Sequence, residues 1–126
     1  MRDNLRRTLR RALDEGPTRV ARIDPGNGAH GVFRDACVLA QFSAPTDPGS
    51  LSAQTFRIED REGVVPARLR LSPDRVVLIW TAERLLAPDV EHVIHVSGVR
   101  DMLGQAVEPH ESRFVPCDLV SREWPT

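Results

Sequence analysis

The feature that most constrains this chain is a two-residue alternation of apolar and polar side chains, cut into short runs by turn residues. Phe56 and Ile58 alternate with Thr55, Arg57 and Glu59, and Val65, Ala67, Leu69 and Leu71 alternate with Pro66, Arg68 and Arg70. A period of two puts one set on a single face of a strand, whereas on a helix it would scatter them around the axis. Comparable runs fit residues 18–23, 36–42, 75–80, 92–97 and 112–115. Between them lie clusters such as Asp24-Pro25-Gly26-Asn27-Gly28, Ser72-Pro73-Asp74 and Ala87-Pro88-Asp89, which is where ten Pro and eight Gly of 126 residues are spent. About seven short strands at this spacing predict an all-β antiparallel sandwich over residues 17–116. Pro66 belongs on an edge strand or at a strand start, because it has no N–H to donate to a ladder.

Residues 1–16 have a different rhythm. Leu5, Leu9, Ala12 and Leu13 fall on one stripe of a helix over 2–15, with Arg6, Arg7, Arg10 and Arg11 flanking it, and Gly16-Pro17 stops it. A helix this short is marginal alone in water, so its stripe is expected to be covered by the sandwich or by another chain. Seven Arg stand against three acids in residues 1–22, and ten Arg against 15 acids thereafter, giving a basic arm on a mildly acidic body. A solvated rim around a docked helix explains those arginines better than nucleic-acid binding, since no aromatic platform lies nearby. No apolar stretch follows the arginines as a signal peptide would require, and no run approaches a membrane span. The expected setting is therefore cytoplasmic. Residues 117–126, with Trp124, show no period and are read as a tail.

Composition removes several chemistries. All 17 basic residues are Arg and there is no Tyr, so Schiff-base lysine and tyrosine acid–base catalysis are excluded. No Ser sits in a G-x-S-x-G elbow, and the two Cys, 80 positions apart, have no metal-type spacing and are expected to be reduced. His92 and His95 would face opposite sides of a strand, so they cannot share a metal. Cys37 falls opposite the inward parity of Val38, Ala40 and Phe42 and reads as an inert thiol. Asp47, Asp74 and Asp101 sit in loops that could offer calcium ligands, with turn capping as the default. No catalytic residue, cofactor, metal or small-molecule substrate is expected.

Four segments, in order, resemble the bacterial immunoglobulin-like domain of S-layer and other cell-surface proteins. Asp24-Pro25-Gly26-Asn27-Gly28-Ala29-His30-Gly31-Val32 resembles its opening turn, and Phe42-Ser43-Ala44-Pro45-Thr46-Asp47-Pro48-Gly49-Ser50-Leu51 its "F-S-x-P-x-D-P-x-S-L" signature. Leu86-Ala87-Pro88 and the run Val93 to Gly104 resemble its closing "L-x-P … V-x-V-x-G-V-x-D-x-x-G". The resemblance implies a sandwich that acts as a spacer, adhesive or assembly module without an active site. His92 stands where the family usually has Tyr, and Gln105 where it usually has Asn. An inward imidazole at 92 is expected to replace the tyrosine hydroxyl that bonds backbone just upstream.

Strand parity also exposes apolar side chains. With Val38, Ala40, Phe42, Val76, Leu78 and Trp80 inward, Leu39, Val77 and Ile79 point outward on strands that the immunoglobulin topology makes neighbours. Leu5, Leu9, Leu13, Leu39, Val77, Ile79 and Trp124 are therefore the candidate contacts to a protein partner or a second copy. The edge bearing Arg68 and Arg70 is expected to stand apart from that contact. The function read from the sequence is a non-catalytic structural or interaction subunit of a larger assembly. The alternative is a secreted or cell-surface adhesive or spacer module.

Overall fold

The computed structural model describes residues 16–121. The helix expected over 2–15, with Leu5, Leu9 and Leu13, and Trp124 in the tail lie outside the described residues. Nine strands form: β1 (Val20–Asp24), β2 (Ala29–Val32), β3 (Val38–Phe42), β4 (Phe56–Asp60), β5 (Gly63–Val64), β6 (Ala67–Leu71), β7 (Val77–Ala82), β8 (His92–Val96) and β9 (His110–Pro116). A 3-10 turn, Pro48–Ser50, lies between β3 and β4. Two sheets pack face to face, ordered β1-β3-β7-β6 and β2-β9-β8-β4-β5.

This is the sandwich that the alternation predicts, with two corrections. There are nine strands among the described residues rather than seven, because β2 and β5 are too short to show a period of their own. The sheets are not wholly antiparallel: β2 runs parallel to β9, pairing Ala29 with Phe114 and His30 with Val115. The chain reaches this arrangement because the Pro- and Gly-rich turn after β1 carries it from the edge of one sheet to the edge of the other. Pro66 lies just before β6, an edge strand, and needs no ladder donor there.

Inward parity holds where the sequence places it. Val38, Ala40 and Phe42 of β3 and Leu78 and Trp80 of β7 are buried against Phe56 and Ile58 of β4, Ile94 and Val96 of β8, and Phe114 of β9. Each Val, Leu, Ile or Phe side chain among them contributes about 1.5–3 kcal/mol by leaving water. His92 is also fully buried and faces inward. Its ring stacks on Phe114 at 5.2 Å between centroids, and Nδ1 lies 2.8 Å from the Val90 carbonyl. The imidazole thus does bond backbone just upstream, as expected of a tyrosine replacement.

One end of the sandwich is locked by loop polar groups. The buried carboxylate of Asp101 accepts hydrogen bonds from the Thr18 hydroxyl (2.8 Å) and from the backbone N–H groups of Leu103 and Gln105 (both 2.9 Å). Thr46, fully buried, bridges to Asp101 and donates its backbone N–H to the Arg75 carbonyl, while the Asp47 N–H bonds the Arg100 carbonyl. Gly98 has φ +89 and a Cβ there would stand 3.2 Å from Thr55 Cγ2, so only glycine fits this turn easily. The motifs that carry the family resemblance are therefore loop locks.

Replacing Asp101 with Ala should remove about 2–4 kcal/mol of stability, because a charged acceptor of three hydrogen bonds is lost and a buried hydroxyl is orphaned. Asp101→Asn should cost less, since its amide oxygen can still accept from both N–H groups. Urea unfolding checks this, with a lowered midpoint and an unchanged slope expected.

Candidate interaction surface

The outer face of the β1-β3-β7-β6 sheet collects the outward residues into rows. Directly paired residues of antiparallel strands share a face, so Asp24, Leu39, Ile79 and Arg70 form one row across all four strands. Arg22, Gln41 and Val77 form the next. Thr81 pairs with Arg68, and the Cys37 sulfur lies 3.6 Å from the Thr81 hydroxyl on the other side. Leu39 is 40% exposed, while Val77 and Ile79 are half-buried. Arg22, Asp24, Leu39, Gln41 and Val77 line a shallow depression of about 240 Å³.

The structure thus brings Leu39, Val77 and Ile79 together on one face. It also sets the arginine-bearing edge next to this face, because Arg70 pairs directly with Ile79. Arg22 and Asp24 were not singled out from the sequence. Their membership depends on the β1–β3 register, which contains an irregularity between Val20 and Arg22 that simple alternation does not reveal. Among the described residues, Arg22, Arg68 and Arg70 make no ion pair.

The opposite outer face is the converse. Arg57 donates to Glu59 at 3.0 Å, His95 stands 3.4 Å from both Glu59 and Glu111, and Arg113 pairs with Glu91 at 2.7 Å and with Glu111 at 3.8 Å. This ladder crosses β4, β8 and β9 and gives each of its three glutamates a partner among Arg57, His95 and Arg113. The hydrogen bond from Arg57, helped by the His95 charge, holds the Glu59 carboxyl below its ordinary range.

The remaining candidates are occupied by local structure. Asp47 caps the 3-10 turn by accepting from the Gly49 N–H, and Asp74 accepts from the Ser72 hydroxyl, which lowers its pKa. With Asp101 engaged as above, each of the three loop carboxylates serves a turn. Among the described residues no three His, Cys, Asp or Glu side chains come together as a metal-binding group. Cys37 is exposed and Cys117 half-buried, both as free thiols. An open cleft of about 410 Å³ lies at the far end, lined by Arg34, Asp35, Thr81, Glu83, Arg84 and Leu85 among others.

No family model and no curated protein matches the sequence. Solved structures do share the fold. The S-layer protein SbsC superposes with a TM-score of 0.65 at 15% identity over 89% of this chain, which spans only 15% of that protein's length. CopC from Methylosinus trichosporium OB3b gives a TM-score of 0.66 at 18% identity, covering 79% of this chain and 93% of that one. An L,D-transpeptidase from Mycobacterium smegmatis gives 0.57 at 21% identity, covering 80% of this chain and 40% of that one. The chain has the β-sandwich fold of bacterial S-layer domains. At these identities the likeness is one of fold.

Burial holds His110, at the start of β9, below the ordinary histidine pKa, and its Nε2 is buried without a hydrogen-bond partner among the described residues. The unfolded chain therefore binds a proton that the folded chain resists. Stability should be full above the unfolded pKa of about 6.5 and fall as pH drops through it towards the depressed folded value. Urea midpoints measured between pH 7.5 and 5.5 should show this decline, and His110→Gln should flatten it.

Proposed function

We propose that this chain is a non-catalytic immunoglobulin-like module of a cell-surface or exported assembly, where it acts as a rigid spacer and contacts a protein partner. The observation that carries the reading is the outer face on which Leu39, Ile79 and Val77 lie between strands bearing arginines that make no ion pair among the described residues. Apolar side chains aligned on a solvent face mark an interaction surface more than a fold requirement. Likeness to domains of an S-layer protein supports a surface setting over the cytoplasmic one expected from residues 1–16. CopC, matched over most of its length, supports a sandwich that also works as a small unit.

On this reading the chain catalyses nothing. The loop carboxylates Asp47, Asp74 and Asp101 are bound to turns, and recognition is assigned to the surface. The partial match to L,D-transpeptidases covers 40% of the enzyme chain and gives no reason to place a reaction in this sandwich.

Full-length protein recovered from its native cells by surface fractionation and sized without denaturant should run well above its own 14.1 kDa. Leu39→Asp or Ile79→Asp should return it to monomer size while leaving the unfolding free energy from urea titration within about 1 kcal/mol of the parent, since both side chains are outward. A soluble monomer in every fraction would overturn the reading.

A further inference from the structure

We infer that the outer face of the β1-β3-β7-β6 sheet is a receptor for an amphipathic helix with acidic shoulders, supplied by a partner protein. The inference deepens the partner-binding reading above and rests on it.

The floor of the site is the pair Leu39–Ile79 with Val77 beside it; the β6 side carries Arg68 and Arg70, and the β1 side carries Arg22 next to Asp24. Asp24 is the single acid in these rows, so the face is net basic although the whole chain carries −1. β1 and β6 are separated by three interstrand steps, roughly 14 Å at about 4.8 Å each. A helix with its side chains is about 10–12 Å across. One helix therefore fits lengthwise between the arginine-bearing strands, with its apolar stripe down and its shoulders against the guanidinium groups.

Charge sign selects the occupant. The chain's own residues 1–16 have a suitable leucine stripe at Leu5, Leu9 and Leu13, but Arg6, Arg7, Arg10 and Arg11 flank it. Docking that segment would set arginine against arginine. A second copy docking face to face repeats the same conflict. One docking by its other outer face would offer Glu59, Glu91 and Glu111, which are already paired with Arg57, His95 and Arg113. A nucleic acid would meet the arginines but leave the apolar floor facing phosphate and sugar. A helix bearing Leu, Ile or Val between Glu or Asp residues satisfies floor and sides together, and gains charge-assisted hydrogen bonds from arginine.

Two peptides test this on the full chain, followed by amide chemical shifts. One is the 1–16 segment itself. The other is its R6E/R7E/R10E/R11E version, and both carry the same helix-holding side-chain staple. The acidic peptide should shift the amides of Leu39, Gln41, Val77 and Ile79, weaken at least tenfold in Arg68→Glu/Arg70→Glu protein, and weaken as salt screens the pairing. The native peptide should not bind, and Leu5→Ser/Leu9→Ser/Leu13→Ser in the chain should leave those four amides unmoved. Equal binding by the native peptide, or movement of those amides in the leucine variant, would overturn the inference in favour of self-docking. Shifts confined to the Glu59–Glu111 face, or no binding of the acidic peptide at millimolar concentration, would overturn it as well. If that peptide fails while Leu39→Asp still releases the native complex, the acidic chemistry is wrong and the module reading survives.

Discussion

The carboxylate of Asp101 is the point on which one whole end of this sandwich turns. A buried charge is tolerated only when its lone pairs are met, and here one oxygen takes two backbone N–H groups while the other takes the Thr18 hydroxyl. The first two contacts close the loop between β8 and β9. The third fixes the chain as it enters β1, 83 positions earlier. Thr46, Asp47 and Arg75 join the same end through backbone bonds. Two residues beyond Thr18 the chain enters β1, whose register against β3 places Arg22 and Asp24 on the outer face.

With the core sealed by side chains from both sheets, the two outer faces are left free to differ. One is a connected set of Arg57, Glu59, His95, Glu111, Arg113 and Glu91, in which every charged side chain already has a partner within the face. Surface pairs of this sort add at most about 1 kcal/mol each to stability. The other holds apolar side chains at its centre and, at its sides, arginines that make no ion pair among the described residues. Recognition is favoured where desolvation removes apolar area and where charge still lacks a counterpart.

The sandwich and its core were legible because alternation reports burial directly. Val38, Ala40, Phe42, Leu78, Trp80, Ile94 and His92 all point where their parity places them. What could not be read was pairing that depends on a partner strand. β2, Ala-His-Gly-Val, has no apolar rhythm and exists because β9 supplies its hydrogen bonds; β5 is two residues beside β4. For the site, Leu39, Val77 and Ile79 were visible as outward residues, while the arginines beside them required knowing which residue faces which across β6 and β7. Family-like loops signalled the topology, yet their chemistry, a set of capped turns, shows only in the bonds they make.

The parallel pairing of β2 with β9 has a mechanical consequence. The described chain enters beside Asp101, where Thr18 is held, and leaves at the opposite end, where Ser121 bonds Asp35. Tension applied between these two poles runs along the strands. Gly28 N–H to the Arg113 carbonyl and Cys117 N–H to the Val32 carbonyl bracket the β2–β9 seam, whose hydrogen bonds lie across that line of force. Its bonds are loaded together in shear, whereas an antiparallel hairpin pulled at its open end would unzip, its bonds breaking in succession. A strand too short to be seen in the sequence thus sits where the domain resists being stretched.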